Sequence, residues 1–187
     1  FAAFLVMSYH FAHHAPAHAD AIVAWFERMM PLLDMFFMIS GFLIFQRYHD
    51  RIETPKAYGA YLIKRLARLY PLHVMTTGFF VLVAFAVSAG LVQSQGADGG
   101  MSRYNWSELP TNMLLLQAWG VTEDLTFNYV SWSLSAEWLC YLLLPLIIFA
   151  ARKAGLPGLF LLLAVVVGLL ELLVAKGIMP YESWMKT

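Results

Sequence analysis

The 23 residues from Tyr70 to Val92, YPLHVMTTGFFVLVAFAVSAGLV, contain no Asp, Glu, Lys or Arg. As a helix such a stretch measures ~35 Å, and the hydrocarbon core of a bilayer is about 30 Å thick. Water-soluble folds rarely accommodate a helix of this kind, whereas a membrane requires one. Trp132–Ala151 has the same character apart from Glu137, and Leu156–Ala175 apart from Glu171, with Pro157 in its first turn where proline is tolerated. Met29–Phe45 is shorter and apolar apart from Asp34 and Ser40, and Phe1–Phe11 reads as the remnant of an earlier span. The expected fold is all-α: a polytopic transmembrane helix bundle of about five membrane spans, the first one truncated. Leu109–Gly120 is too short to span and is expected as an interfacial or re-entrant helix.

Composition narrows the function classes. The chain is 60% hydrophobic and 13% charged, too little charge for the surface of a soluble domain. Its formal net charge of zero offers no basic field for nucleic acid. Cys140 is the sole cysteine, so no internal disulfide is expected, and no metal site. The opening FAAFLVMSYHF shows neither the basic region nor the cleavage site of a signal peptide, so the chain is expected to begin inside a helix of a longer protein.

Basic residues set the direction of the spans. Gln46–Arg68 holds Arg47, Arg51, Lys56, Lys64, Arg65 and Arg68 against two acids, whereas Leu91–Ser131 holds Arg103 against four. Segment 46–68, and the turn carrying Arg152 and Lys153, are therefore expected on the cytoplasmic side, with 12–28 and 93–131 outside. Tyr104, Trp106, Trp119, Tyr129 and Trp132 fit an outer aromatic belt.

The few ionisable residues inside apolar segments are the candidates for function, because a lone charge in hydrocarbon costs about 3 kcal/mol on insertion scales. Glu171, beside Lys176, reads as an interfacial charge. Asp34 either complements the start of a helix dipole or faces a site. Glu137 follows Trp132, Ser133 and Ser135 in YVSWSLSAEWLCYLLLP and is read either as a helix-start acid or as a carboxylate lining a polar cavity. His10, about 15 Å along its helix, is read as a titratable base or as a hydrogen-bonded core residue. His13, His14 and His18 match no strong metal spacing. In YLIKRLARLYPLH, Arg65 and Arg68 stand at i and i+3, a pairing that suits either a bidentate phosphate clamp or an anchor of topology. No role is evident for His73.

These segments resemble the acyltransferase 3 family of integral membrane acyltransferases. LDMFFMISGFLIF is similar to that family's D-x-FF-x-x-SGFLI signature, and KRLARLYP to its R-x-x-R-x-x-P stretch. YVSWSLSAEWLCYLLLP resembles the block ending in W-S-L-x-x-E-x-x-x-Y, NMLLLQAW the block before it, and LVMSYH the first-helix block that ends in histidine. One departure is that the family's first helix carries an arginine upstream of the histidine, and the chain begins too late to include it. The resemblance implies that residues 1–187 are the N-terminal part of a single membrane-embedded acyltransferase domain whose C-terminal half lies beyond them. It implies transfer of an acyl group, often acetyl, from acyl-CoA to a hydroxyl of an envelope or secreted carbohydrate, or of a lipid-linked glycan. Acyl-CoA would be a co-substrate rather than a permanent cofactor, membrane lipid the surroundings, and nucleic acid no partner. The implied site has His10 and Glu137 as catalytic residues. Arg65, Arg68 and Ser40 would hold the donor, and Asp34, Trp132 and Ser133 the acceptor. A proton-coupled transporter and a non-catalytic scaffold of an envelope-assembly complex are the competing classes; neither requires a phosphate clamp.

Overall fold

The structure is a computed structural model that describes residues 31–92, 103–122 and 124–178, with isolated positions 8, 24, 25 and 28; the side chains of 31–34 lie outside what it describes. Among the described residues every regular element is helical. The chain divides into two compact units, 1–51 and 52–187.

The first unit contains helix α1, Pro31–Tyr48, which starts at a proline and ends in the basic residue Arg47. The second unit opens with helix α2, Pro55–Ser88. Its start is well specified. Thr54 is extended (φ −131°, ψ 153°), its Oγ1 accepts the Ala57 N–H at 3.2 Å, and Pro55 occupies the first turn, where no N–H is needed. Its end is set by Gly90 at φ +69°, where the Leu91 N–H reaches back to the Ala86 carbonyl at 2.9 Å. At 34 residues α2 is ~51 Å long, longer than a bilayer core is thick.

Helix α2 buries a polar stripe and exposes an apolar one. Tyr61, Leu69, His73, Thr77 and Ala84 are buried, and half-buried Arg65 falls in the same row. Leu72, Met75, Phe79, Leu82 and Phe85 are exposed. Polar residues inward and apolar residues outward is the arrangement a lipid solvent selects.

The loop that follows carries a short helix α3, Leu109–Met113, and three 3-10 turns, Trp106–Glu108, Gln117–Trp119 and Tyr129–Ser131. Of the helix expected over Leu109–Gly120, only Leu109–Met113 is α-helical. Two of the expected belt aromatics turn inward instead. Tyr104 is buried against Phe127, and the Trp119 indole donates to the Ser135 carbonyl at 3.2 Å.

Helix α4 covers Trp132–Ala175 and breaks at Gly155 (φ 58°, ψ −141°). The break lies at the expected 152–155 turn and divides the helix into two lengths of about 20 residues, each ~30 Å. It is sharp. A Cβ on Gly158 would stand 2.5 Å from the Ala150 carbonyl oxygen, whereas in an unbroken helix these residues are about 12 Å apart. Two stretches, Pro55–Ser88 and Tyr129–Ala175, are long and apolar enough to cross a membrane among the described residues, fewer than the expected five spans. Phe1–Phe11 lies outside the described residues, and Pro31–Tyr48 includes only a shorter apolar helix, Met35–Tyr48.

Replacing Gly158 by Ala forces a methyl onto the fixed Ala150 carbonyl and should destabilise the protein by about 1–3 kcal/mol. The check is the melting temperature in detergent. A variant melting with the wild type would mean that the break is not packed this tightly.

Candidate active site

Within the second unit α2 and α4 run antiparallel. Arg152 meets Glu53 at 3.6 Å, the Tyr58 hydroxyl donates to the Leu142 carbonyl at 2.9 Å, and the Tyr61 and Tyr141 rings meet edge to face at 6.1 Å. Both members of the ion pair are exposed, so it marks the register more than it stabilises it. Past Leu69 the partner of α2 changes from α4 to the loop. The Tyr70 hydroxyl donates to the Met113 carbonyl at 2.6 Å, the Asn128 amide to Thr76 Oγ1 at 2.9 Å, and the Phe85 ring packs at a tilt against Trp106, 4.9 Å between centroids.

This register brings Arg65 and Glu137 into one cluster. The Arg65 guanidinium carbon lies 5.7 Å from the ring centroids of both Tyr61 and Tyr141, which are 2% and 4% exposed. The Tyr141 hydroxyl donates to the Glu137 carboxylate one turn back along α4. A cation thus rests against two aromatic faces, one of which holds the acid by its hydroxyl. Tyr141 links a cation on α2 to a carboxylate on α4. The sequence places Arg65 toward the cytoplasm and Glu137 toward the outside; the packing puts them at one level.

The other expected site residues fall out as follows. Arg68 is exposed, so the two arginines do not share one environment: i and i+3 are roughly 60° apart around a helix, enough to turn one inward and one outward. Trp132 is half-buried at the start of α4. Ser133 donates its hydroxyl to the Val130 carbonyl at 3.2 Å, and the Ser135 hydroxyl donates to the Leu115 carbonyl in the loop. Ser40 is half-buried in α1, and Gly41 of the same helix has no atom within 4 Å of where a Cβ would stand, so it serves no close packing among the described residues. His10, and the side chain of Asp34, lie outside the described residues.

Sequence reasoning missed Tyr61, Tyr141 and His73. Tyr141 stands four residues after Glu137, the helical spacing that puts two side chains on one face, and Tyr61 stands four before Arg65. His73 is fully buried, its Nε2 donating to the Asn112 carbonyl at 2.8 Å. Asn112 in turn donates its amide to Thr126 Oγ1 at 3.1 Å, and the Thr126 hydroxyl donates to Glu108 at 2.9 Å. His73 therefore pins the loop to α2.

Ser135 pins the same loop to α4. Its hydroxyl donates to the Leu115 carbonyl at 2.7 Å and accepts the Ala118 N–H at 3.0 Å, while Gln117 donates to Ser131 Oγ at 2.8 Å. Leu115 (φ 57°) and Phe127 (φ 53°) are fully buried in the left-handed region, a strain of order 1 kcal/mol each that persists only where the surroundings dictate it. The loop is thus a fixed wall at the head of α4, one turn from Glu137.

The matching family model, described as an acyltransferase domain, covers residues 1–178, nearly the whole chain. The chain belongs to the acyltransferase 3 family. Acyltransferase MdmB of Streptomyces mycarofaciens is 30% identical over 123 residues, a stretch covering 65% of this chain and 29% of that protein. No solved structure matches. In this chain the Arg65–Tyr141–Glu137 cluster joins two of the blocks that carry the family resemblance.

Ser135→Ala removes both hydroxyl bonds and leaves a buried carbonyl and a part-buried N–H unpaired, so it should cost about 2–4 kcal/mol. Its signature is a lower melting temperature with faster proteolysis of the 103–131 loop. Wild-type protease resistance would show that Ser135 does not hold the loop.

Proposed function

We propose that this chain is part of a membrane-bound O-acyltransferase of a bacterial inner membrane. It would move an acyl group, acetyl in the simplest case, from cytoplasmic acyl-CoA to a hydroxyl of an envelope or secreted carbohydrate. The observation that carries the reading is a cation and a carboxylate kept inside apolar helices by two nearly buried tyrosines. Ionisable groups in such places mark reaction or transport paths, and the family supplies the class of chemistry.

A thioester is already activated, so the protein has to align the acceptor hydroxyl and take its proton. His10 is the proposed general base. As it accepts the proton, the acceptor oxygen attacks the thioester carbonyl, a C–O bond forms and the C–S bond breaks. Coenzyme A leaves as its thiolate and takes the proton back from His10. Glu137 either orients His10 or hydrogen-bonds the acceptor. Arg68, exposed on α2 beside Lys64, is proposed to meet the donor phosphates. Ser40 is the proposed donor to the thioester oxygen, and Asp34, Trp132 and Ser133 are proposed to contact the acceptor.

The test is acetyl-CoA cleavage by the intact protein in detergent, followed as free thiol, with transfer of labelled acetyl to an envelope glycan fraction. His10→Ala should lower turnover by about 10²–10⁴-fold, the contribution of a positioned base, with acetyl-CoA binding nearly kept. Turnover at the wild-type rate would place the base elsewhere, and a wild type that neither binds nor cleaves acetyl-CoA would remove the acyltransferase reading.

A further inference from the structure

Arg65 and Arg68 look alike in the sequence, and the structure separates them. Arg68 is exposed, whereas Arg65 is half-buried and flanked by two tyrosines. Tyr141 has two functional groups and both are engaged. Its ring lies beneath the Arg65 guanidinium, and its hydroxyl donates to Glu137. Tyr61 lies as close to the guanidinium as Tyr141 does, on an adjoining side, and the two rings pack edge to face at 6.1 Å. Tyr58, a turn before Tyr61, stacks on it at 6.3 Å and anchors its hydroxyl on the Leu142 carbonyl next to Tyr141. The guanidinium is therefore held by a tyrosine framework fixed to α4, and that framework delivers it toward a carboxylate.

We propose that Tyr141 is a positioning residue that makes Arg65 and Glu137 one functional unit, so that Arg65 acts on the carboxylate side of the reaction while Arg68 alone of the pair meets the donor phosphates. This rests on the acyl-CoA reading above and deepens it. A phosphate-binding guanidinium needs its N–H fork free to approach the ligand, and Arg68 has that exposure. Arg65 instead sets its guanidinium against the rings of two nearly buried tyrosines that pack on each other, which favours one position for the cation. The Tyr141 hydroxyl then sets which way the Glu137 carboxylate points, and the ring of the same residue carries the Arg65 cation. Loss of that hydroxyl would leave the packing nearly intact and misdirect the acid. A kinetic effect without a structural one is the signature to look for.

The experiment compares Tyr141→Phe, Arg65→Ala, Arg68→Ala, Glu137→Gln and the double variant Tyr141→Phe/Glu137→Gln in the intact enzyme. Tyr141→Phe keeps the ring and removes the hydroxyl, so its melting temperature should stay near the wild type while kcat falls about tenfold, the worth of one hydrogen bond to a charged group. Its KM for acetyl-CoA should change less than about twofold, since ground-state donor binding is untouched. Arg65→Ala should follow the same pattern, with the loss in kcat. Arg68→Ala should instead raise the donor KM about 10- to 100-fold. The double variant should lose little beyond Glu137→Gln alone, because both changes delete one interaction. Donor KM raised equally by Arg65→Ala and Arg68→Ala would overturn the division of roles, as would independent, multiplying losses in the double variant. Failure of the wild type to bind or cleave acetyl-CoA would overturn the acyl-CoA reading and this inference with it, and is distinct from both.

Discussion

Everything in the second unit depends on one electrostatic constraint: an arginine and a glutamate that belong to apolar helices must be brought together. Separately, each charge would face lipid at a cost of several kcal/mol. Together, with a tyrosine ring under one and its hydroxyl on the other, they share a local environment neither could make alone. The cluster forms in the antiparallel register of α2 against α4, in which Tyr61 meets Tyr141. The Tyr58 bond to the Leu142 carbonyl and the Arg152–Glu53 pair fall into the same register. Once it is set, α2 extends past the head of α4, and the 103–131 loop packs on the exposed remainder.

That loop is held by buried polar bonds as well as by the packing of Tyr104 and Phe127 against Ala84 of α2. His73 bonds Asn112, Asn112 bonds Thr126 and Gln117 bonds Ser131, all buried, while buried Ser135 bonds the Leu115 carbonyl and the Ala118 N–H. In an apolar medium such bonds have no water to compete with and unmade ones are expensive. Two left-handed non-glycine residues, Leu115 and Phe127, sit inside the network, and the surrounding bonds dictate their conformation. The result is a bonded wall of loop at the head of α4, close in sequence to Glu137.

The all-helical class was legible because 23 residues without a charge leave few options, and the break near Gly155 because Arg152 and Lys153 interrupt two apolar runs. The start of α2 was less so. Charge-counting assigns 46–68 to a cytoplasmic segment, yet most of it is the first half of α2, which Thr54 and Pro55 announce as a capped helix start. Glu137 and Arg65 were each readable as misplaced charges, but their meeting was not, since sequence separation carries no information on which turn of α2 faces which turn of α4. Tyr141 was in plain view at the i+4 position; an aromatic amid leucines looks like packing until its hydroxyl is seen to have a partner. The inward turn of Arg65 and the outward turn of Arg68 could not be read from spacing alone, because three residues of a helix leave side chains near enough to share a face or part from it.

The most direct measurement is a thiol cross-link between α2 and α4. In a Cys140→Ala background, with a protease site placed in the 93–102 segment, Arg65→Cys and Tyr141→Cys are combined, treated with a short bifunctional thiol reagent and cleaved. A register in which Arg65 faces Tyr141 predicts that the two fragments stay joined. It also predicts that Arg68→Cys with Tyr141→Cys links far less. Fragments that separate in the first pair and stay joined in the second would contradict the cluster on which the site is built.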